Sequence, residues 1–439
     1  MRILLASDFF APHVGGVELQ VQALAEALKT AGHDVVVATV RQAGLPARAT
    51  IGAVDVVRLP GLTTGVPWFF GNPARRYHPP VPDPRIALGI RRLARSFRPD
   101  VVQSHGWIAH SCALGLMRTG IPMMLSVRDY GYACATRNLL LDGQICSGPE
   151  LIKCLRHAGK VYGPAKGAAA VTAVLGLRPW LARRTAVIHA VSSYVASIAT
   201  RDILQSAARR PVVVIPDIVI EKIASATPAA GGAMTDRASR SDPSSVMPVA
   251  TGSAPASDPR LPASPYILFV GALQPHKGLG PLIAAHRLLV DPPPLVLIGT
   301  RWPDTPTDIP ADVTVLSDVG HRTVMEAWDG AVFGVAPSIW PDPLPGVIRE
   351  AMVRGKPVIG SRAGGISDII EDGVNGILVP PGDVVELAAA MRRLLDDPEL
   401  CRRLGERGRA DTLAYQAAPI AARFLEAYAA IAGERAVQP

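Results

Sequence analysis

Residues Pro337–Gly365 read PSIWPDPLPGVIREAMVRGKPVIGSRAGG, and the fold is decided here. The stretch follows an apolar run, Ala331–Ala336, with the unbroken hydrophobicity of a buried strand. Prolines between Pro337 and Pro345 forbid a helix before Gly346. From there Val347, Ile348, Ala351 and Met352 recur at helical spacing, Gly355 stops the helix, and Lys356 to Gly360 reads as the next buried strand. Strand, loop, helix and strand in that order make one unit of a parallel α/β sheet, whose ligands sit in the loops at the carboxyl ends of strands.

The loop carries two acids, Asp342 and Glu350. The expected helix places Glu350 in its first turn, where free N–H groups and the dipole favour negative charge. A phosphate can rest on the amides of Leu344 to Val347. A carboxylate repels a phosphate, so Glu350 suits neutral hydroxyls such as a ribose diol, and Asp342 those of a sugar ring. The rival reading makes Glu350 a complement to the helix dipole and Asp342 a residue of a solvated turn.

Outward from this unit the same grammar repeats. Tyr266 to Val270 is a strand, and the loop Gly271-Ala272-Leu273-Gln274-Pro275-His276-Lys277-Gly278 precedes a helix to Leu289 and a strand at Leu295 to Ile298. A lysine in such a loop, Lys277, can neutralise a diphosphate. At the amino end, strand Arg2 to Ala6 leads through Gly15-Gly16 into a helix, Val17 to Ala31, expected to bury Leu19, Ala23, Leu24, Ala27 and Leu28. The glycine pair lets backbone approach a phosphate. A dinucleotide site is disfavoured, because Gly-x-Gly-x-x-Gly is absent and Arg41 follows the second strand in place of an acid.

Taken together, Pro337-Ser338, Trp340-Pro341-Asp342-Pro343, Gly346-Val347, Glu350-Ala351-Met352, Gly355, Pro357-Val358-Ile359 and Gly364-Gly365 resemble the signature of glycosyltransferase family 4. Asp372-Gly373, Asn375-Gly376, Leu378-Val379 and Pro381-Gly382-Asp383 extend it. The family's hallmark is Glu-x7-Glu, and here Asp342 stands for the first Glu. The resemblance implies an α/β GT-B fold: two Rossmann-like parallel-sheet domains facing across a cleft, with a C-terminal helix crossing back to the first. The implied domains are 1–217 with 411–439, an Ala/Ser/Pro-rich linker 218–263, and a donor domain 264–410. The implied activity is transfer of a sugar from a nucleotide-sugar to a hydroxyl with retention of configuration. Gly15-Gly16-Val17-Glu18 is similar to the family's Gly-Gly-x-Glu, which faces the donor diphosphate and the acceptor. Gly271 to Gly278 is similar to its Gly-Arg-Leu…Lys-Gly, with Ala272 in the arginine's place. The loop around Val319 corresponds to one that holds the base. By resemblance the catalytic set is Asp342, Glu350 and Lys277. The donor set adds Gly15, Gly16, Gly271, Val319, Ser338, Leu344, Pro345, Gly346 and Val347.

Candidate acceptor residues lie at two further strand ends. One strand finishes at His105 and its neighbour at Arg128-Asp129, where a proton-transfer or hydroxyl-binding role competes with a structural one. Family members usually carry His-Asp at the second position, so Arg128 implies a cation for an acceptor phosphate or carboxylate. No cofactor and no metal are implied, since no Asp-x-Asp motif stands at a strand end.

The 439 residues suffice for two or three domains, and 49% hydrophobic with 19% charged residues fits a soluble globular chain. Charge is uneven: 25 Lys and Arg against 12 Asp and Glu through Asp217, then 20 against 25. A basic first half suits an anionic partner, ranked as a phospholipid surface, a lipid-linked phosphate or nucleic acid; the resemblance drops the last. Trp68-Phe69-Phe70 with Arg75-Arg76, and the apolar Gly167 to Leu177 between basic residues, fit peripheral membrane contact or plain packing. That apolar run is far below the roughly 18 residues of a membrane span. Five cysteines and no leader pattern imply reduced thiols and a cytoplasmic place. Cys134, Cys146 and Cys154 lack a Cys-x2–4-Cys pair, so structural thiols are ranked ahead of a metal site with His157. Two rivals stand beside the transferase: a sugar-nucleotide epimerase or hydrolase of the same fold, and a non-catalytic basic binding module.

Overall fold

The computed structural model describes residues 1–12, 15–62, 77–204, 210–220 and 258–433. Two expectations fall outside them: the linker over 221–257, and the Trp68–Phe70 loop with Arg75 and Arg76. The chain divides into two compact units, one built from Met1–Ile218 and the segment that starts at Ala417, the other ending at Gln416.

The first unit runs β1 (Arg2–Ser7), α1 (Gly16–Thr30), β2 (Asp34–Val40), β3 (Arg48–Ile51), β4 (Val54–Leu59), α2 (Pro84–Phe97), β5 (Val101–His105), α3 (Ile108–Gly115) and β6 (Met123–Val127). A small hairpin, β7 (Leu140–Leu141) and β8 (Gln144–Ile145), then precedes α4 (Leu151–Tyr162), α5 (Pro164–Arg184), β9 (Val187–Ala190), α6 (Ser193–Ile198) and β10 (Val212–Val214). The sheet order is β10-β9-β6-β5-β1-β2-β4-β3, parallel except for β3 against β4. Continuous apolar runs form its middle because both faces are covered. The chain leaves β1 toward β2 and later resumes on β1's other side with β5, so the order reverses between β1 and β5, where a parallel sheet opens a crevice.

The second unit runs β11 (Tyr266–Val270), α7 (Leu279–Arg287), β12 (Leu295–Ile298), β13 (Thr314–Leu316), α8 (His321–Gly330), β14 (Ala331–Ala336), α9 (Gly346–Val353), β15 (Val358–Ser361), β16 (Ile377–Val379), α10 (Val384–Asp396) and α11 (Pro398–Asp411). All its strands are parallel, in the order β13-β12-β11-β14-β15-β16, and here the reversal lies between β11 and β14. The C-terminal helix expected within 411–439 is one of two elements there. A 3-10 turn, Thr412–Tyr415, belongs to the second unit, and α12 (Ala417–Gly433) belongs to the first. There Ile420, Ala421, Phe424, Tyr428 and Ile431 join the core beneath β1, β2 and β5, and Arg423 donates to the Val214 carbonyl at 2.7 Å.

That packing corrects the expected face of α1. The buried residues are Val21, Leu24, Ala25 and Leu28 with Glu18 and Gln20, whereas Leu19, Ala23 and Ala27 are half-buried. Gln20 is held inside by two bonds to Ile218, donating to its carbonyl and accepting its N–H at 2.9 and 2.8 Å. The run Gly167 to Leu177 lies within α5, which buries Val171 and Val174.

Candidate active site

In the second unit the loops after β11 and β14 flank the reversal of strand order, and backbone hydrogen bonds knit them together. The His276 carbonyl accepts from Ile339 N at 3.1 Å, from Trp340 N at 3.2 Å and from Ser338 Oγ at 3.3 Å. The Asp342 carbonyl accepts from Gly365 N at 2.7 Å. Close approach explains Gly278: its φ is +83° and a Cβ there would stand 1.9 Å from the Pro337 carbonyl oxygen. Ser338 and Leu344, expected at the site, are both buried in this knot.

Lys277 and Asp342, 65 residues apart, meet as an ion pair. The Lys277 ammonium also lies 4.6 Å from the centroid of the Trp340 ring, whose edge the His276 ring meets at 5.5 Å. Burial and the neighbouring lysine push the His276 pKa down to about 4, so it stays neutral. Asp342 is therefore not in a solvated turn. Trp340 escaped the sequence reading as a functional residue; its position two residues before Asp342 was the available signal.

Glu350 is corrected as well. It is the fifth residue of α9, beyond the first turn, and no acid occupies that turn. It is half-buried, with His321 Nδ1 at 3.9 Å. Burial raises its pKa, against the cationic influence of His321 and Arg349. A carboxylate there accepts hydrogen bonds and stands clear of an anion at the helix start. The helix start itself is open: Pro345 caps α9 without a side-chain hydrogen bond, and a Cβ on Gly346 would find nothing nearer than Arg349 Nη2 at 3.9 Å. Pro345 has no N–H, so the expected cradle reduces to Leu344, Gly346 and Val347. The helices beginning at these loops, α7 and α9, and α8 after β13 have Gly278, Pro345 and Gly320 as caps with no side-chain bond, whereas Asp383 and Asp397 cap α10 and α11. Val319 is buried immediately before the cap of α8, and Gly271 closes β11 against β12, its N–H donating to Ile298 at 2.9 Å. Open helix ends, one lysine and one carboxylate have the chemistry to suit an anion joined to a polyol.

In the first unit Gly15 caps α1, again without a side-chain bond, and a Cβ on Gly16 would meet nothing within 4 Å. The sequence reading missed Asp8. This residue follows β1, is buried, and accepts from Trp107 N at 3.0 Å and Ile108 N at 2.7 Å, which caps α3 across the reversal. Burial dominates its environment and raises its pKa from 3.8 to about 7. His105 is also buried, its Nδ1 accepting from Arg128 Nε at 3.2 Å; burial and Arg128 hold it neutral. Arg128, expected as a cation for an acceptor, is ion-paired with Asp217 and mostly enclosed. Asp129 turns elsewhere: it pairs with Arg137 and accepts from Gly131 N at 2.8 Å. His105 and Arg128 are thus together, and Asp129 is engaged with Arg137.

Comparison with known proteins bears on both units. Residues 14–219 match Glycosyltransferase Family 4, and residues 258–411 match Glycosyl transferases group 1. A glycogen synthase from Mycobacterium tuberculosis is 27% identical over 462 aligned positions, covering 100% of this chain and 97% of that protein. An MMP alpha-(1->4)-mannosyltransferase from Mycolicibacterium hassiacum is 35% identical over 154 residues, 33% of this chain and 37% of its own length. Among solved structures, sucrose-phosphate synthase from Thermosynechococcus elongatus superposes with a TM-score of 0.67 at 18% identity, covering 99% of this chain and 100% of that one. Anabaena Alr3699/HepE in complex with UDP gives 0.60 at 16%, covering 98% and 100%.

Proposed function

The chain belongs to glycosyltransferase family 4, has the GT-B fold and is a glycosyltransferase; from that premise we propose that it is a retaining hexosyltransferase working without a resident metal. The donor is a nucleoside diphosphate sugar. The single observation that carries this reading is the pairing of an uncapped, sterically open helix start at Gly346 with the Lys277–Asp342 ion pair beside it. In this reading the diphosphate rests on the amides of Leu344, Gly346 and Val347 and on Lys277. Glu350 accepts from the ribose hydroxyls and Asp342 from the transferred sugar. The acceptor hydroxyl attacks C1 on the face the diphosphate leaves, a donor phosphate oxygen takes its proton, and the cationic and amide groups stabilise the leaving charge.

Similar proteins support a uridine or adenosine donor and a saccharide acceptor: Anabaena Alr3699/HepE is described with UDP-glucose, and starch synthase IV from Arabidopsis thaliana with ADP and acarbose. A lipid-linked acceptor at an anionic membrane surface is the second option. It draws on the exposure of Ile145, Leu151 and Ile152 near the exposed cations Arg156 and Lys160. No helix among the described residues is long and apolar enough to cross a membrane.

The test is a thermal-shift screen of nucleotide sugars and free nucleotides, followed by turnover of the best donor with saccharide and lipid-linked acceptors. Stabilisation by one nucleotide class, acceptor-dependent release of nucleoside diphosphate and an axial-to-axial outcome by NMR are expected. Donor hydrolysis indifferent to every acceptor would favour a hydrolase or epimerase; an inverted product would remove the retaining assignment.

A further inference from the structure

Beside Glu350 stands a side chain to which the proposed chemistry gives no task. His321 is the first residue of α8, immediately after the Gly320 cap. The chain reaches it through a tight turn in which Asp318 has a φ of +55° and Val319 is buried. Helices α8 and α9 lie against one another beside β14. Their packing brings His321 Nδ1 to 3.9 Å from Glu350 Oε1.

That separation is too long for a direct bond, which needs about 2.7–3.2 Å between N and O. It is right for a third atom. A hydroxyl oxygen about 2.8 Å from each group would see the two at an angle of about 90°, wide enough to donate to the carboxylate and accept from the imidazole at once. Access is open, since 23% of the His321 side chain and 24% of the Glu350 side chain are exposed. The other ring nitrogen is closed off: His321 Nε2 is enclosed without a hydrogen-bond partner. A proton stranded at Nε2 would cost its full desolvation, whereas one on Nδ1 faces an acceptor, so Nδ1 carries it. The pair also stands at a suitable distance from the open start of α9. Glu350 lies four residues beyond Gly346, about 6 Å along the helix axis, comparable with the span from a 5′-phosphate to the diol of its own ribose.

Taking Glu350 as the ribose acceptor proposed above, we infer that His321 is a second ribose-binding residue. One hydroxyl of the diol bridges His321 Nδ1 and Glu350 Oε1, so the pair selects ribonucleotide donors against their deoxy counterparts. One donor and one acceptor at this spacing read a hydroxyl as such, and a hydrogen in its place forfeits both bonds.

The experiment is calorimetric titration of the full chain with the diphosphates of uridine, adenosine, guanosine and cytidine, then with the 2′-deoxy and 3′-deoxy forms of whichever binds most tightly. The parent protein should bind one deoxy form at least about tenfold more weakly than the ribonucleotide. His321→Phe, shown to be folded by thermal melting, should lose most of that preference by binding the ribonucleotide about as weakly as the deoxy form. His321→Asn, whose amide nitrogen stands in for Nδ1, should keep it. Glu350→Ala separates this inference from the assignment beneath it. If Glu350→Ala loses the preference and His321→Phe retains it, His321 is not a ribose ligand and Glu350 still is. If neither variant changes it, if no deoxy form binds more weakly, or if none of the four nucleotides binds, both assignments fall. Loss in His321→Asn as complete as in His321→Phe would overturn the bridge through Nδ1. Should His321→Phe not fold, His321→Leu takes its place, and the deoxy forms measured on the parent protein remain decisive against the inference.

Discussion

The Lys277–Asp342 pair makes a quantitative demand on the donor site. Both side chains are largely enclosed, at 22% and 12% exposure, and the ammonium is also seated on Trp340. In the proposed complex Lys277 bridges two anions, Asp342 and the donor diphosphate. An ammonium in hydrogen-bond contact with both holds them about 5 Å apart. Unit charges at about 5 Å in an effective dielectric near 20 repel by about 3 kcal/mol. Partial exposure and salt reduce this to about 1–2 kcal/mol. Lys277→Ala therefore does two things: it removes a group that stabilises the leaving charge, a loss of about 10²–10³-fold in kcat, and it leaves Asp342 facing the diphosphate. Adding Asp342→Asn to Lys277→Ala should recover roughly 5–30-fold in affinity for nucleoside diphosphate, which lacks the sugar that Asp342 contacts, the equivalent of that repulsion. The assay is a double-mutant cycle by steady-state kinetics and titration calorimetry on variants shown to be folded. If the double variant is no better than Lys277→Ala, or if Lys277→Ala binds nucleoside diphosphate as the parent does, Lys277 does not bridge these anions.

Glu350→Gln should separate stability from activity. Burial raises the Glu350 pKa above its ordinary value, so the folded state holds the proton longer and stability falls as pH rises from the usual carboxylate range through the raised value; at neutral pH the variant should melt at a higher temperature, while transfer drops about 10²-fold. A variant that melts lower would contradict the burial argument. Asp8 follows the same sign: with its pKa raised from 3.8 to about 7, stability should decline as pH climbs between those values, and denaturant titrations of Asp8→Asn should lack that decline. Gly278→Ala should lose at least about 2 kcal/mol, since left-handed backbone and a 1.9 Å clash coincide. Gly346→Ala meets no protein atom closer than 3.9 Å, so its fold should be no less stable on thermal melting. Its donor affinity should nevertheless fall tenfold or more if phosphate packs on that backbone; unchanged affinity would place the phosphate elsewhere.

The βα grammar was readable because parallel strands buried on both faces are continuous apolar runs: Tyr266 to Val270, Leu295 to Ile298 and Ala331 to Ala336 were located to the residue, and β15 to within two. The α1 face was misread for a reason internal to the first unit. Local periodicity sees Leu19, Ala23 and Ala27, but Phe424 and Tyr428 arrive from the far end of the chain and set which side is covered. β3 was missed because an edge strand such as Arg48–Ile51, with alternating exposure, has no apolar run, and the internal strand β4 because Asp55 and Arg58 interrupt its own.

Site chemistry was legible as residue types and illegible as partnerships. Lys277, Asp342 and Glu350 could be named, yet the pairing of the first two spans 65 positions. Asp8 could not be named at all, because what makes it matter is Trp107 and Ile108, 99 and 100 positions on. Arg128 was assigned outward because Asp217, 89 positions away, was not seen as its partner. These cases share a cause. Each residue sits just past a strand's carboxyl end, and its partner comes from the loop of the strand beside it or from farther along the chain. Which strand lies beside which is a long-range property of the sheet, set where β5 returns to β1 and β14 to β11. At these places α1, α7 and α9 start without a side-chain cap, whereas caps are present on α2, α6, α10 and α11; α4, α5 and α8 are uncapped too, away from the reversals. Local rules therefore fail where the fold withholds its own partners, and helix ends without protein partners are those with amides to offer a ligand.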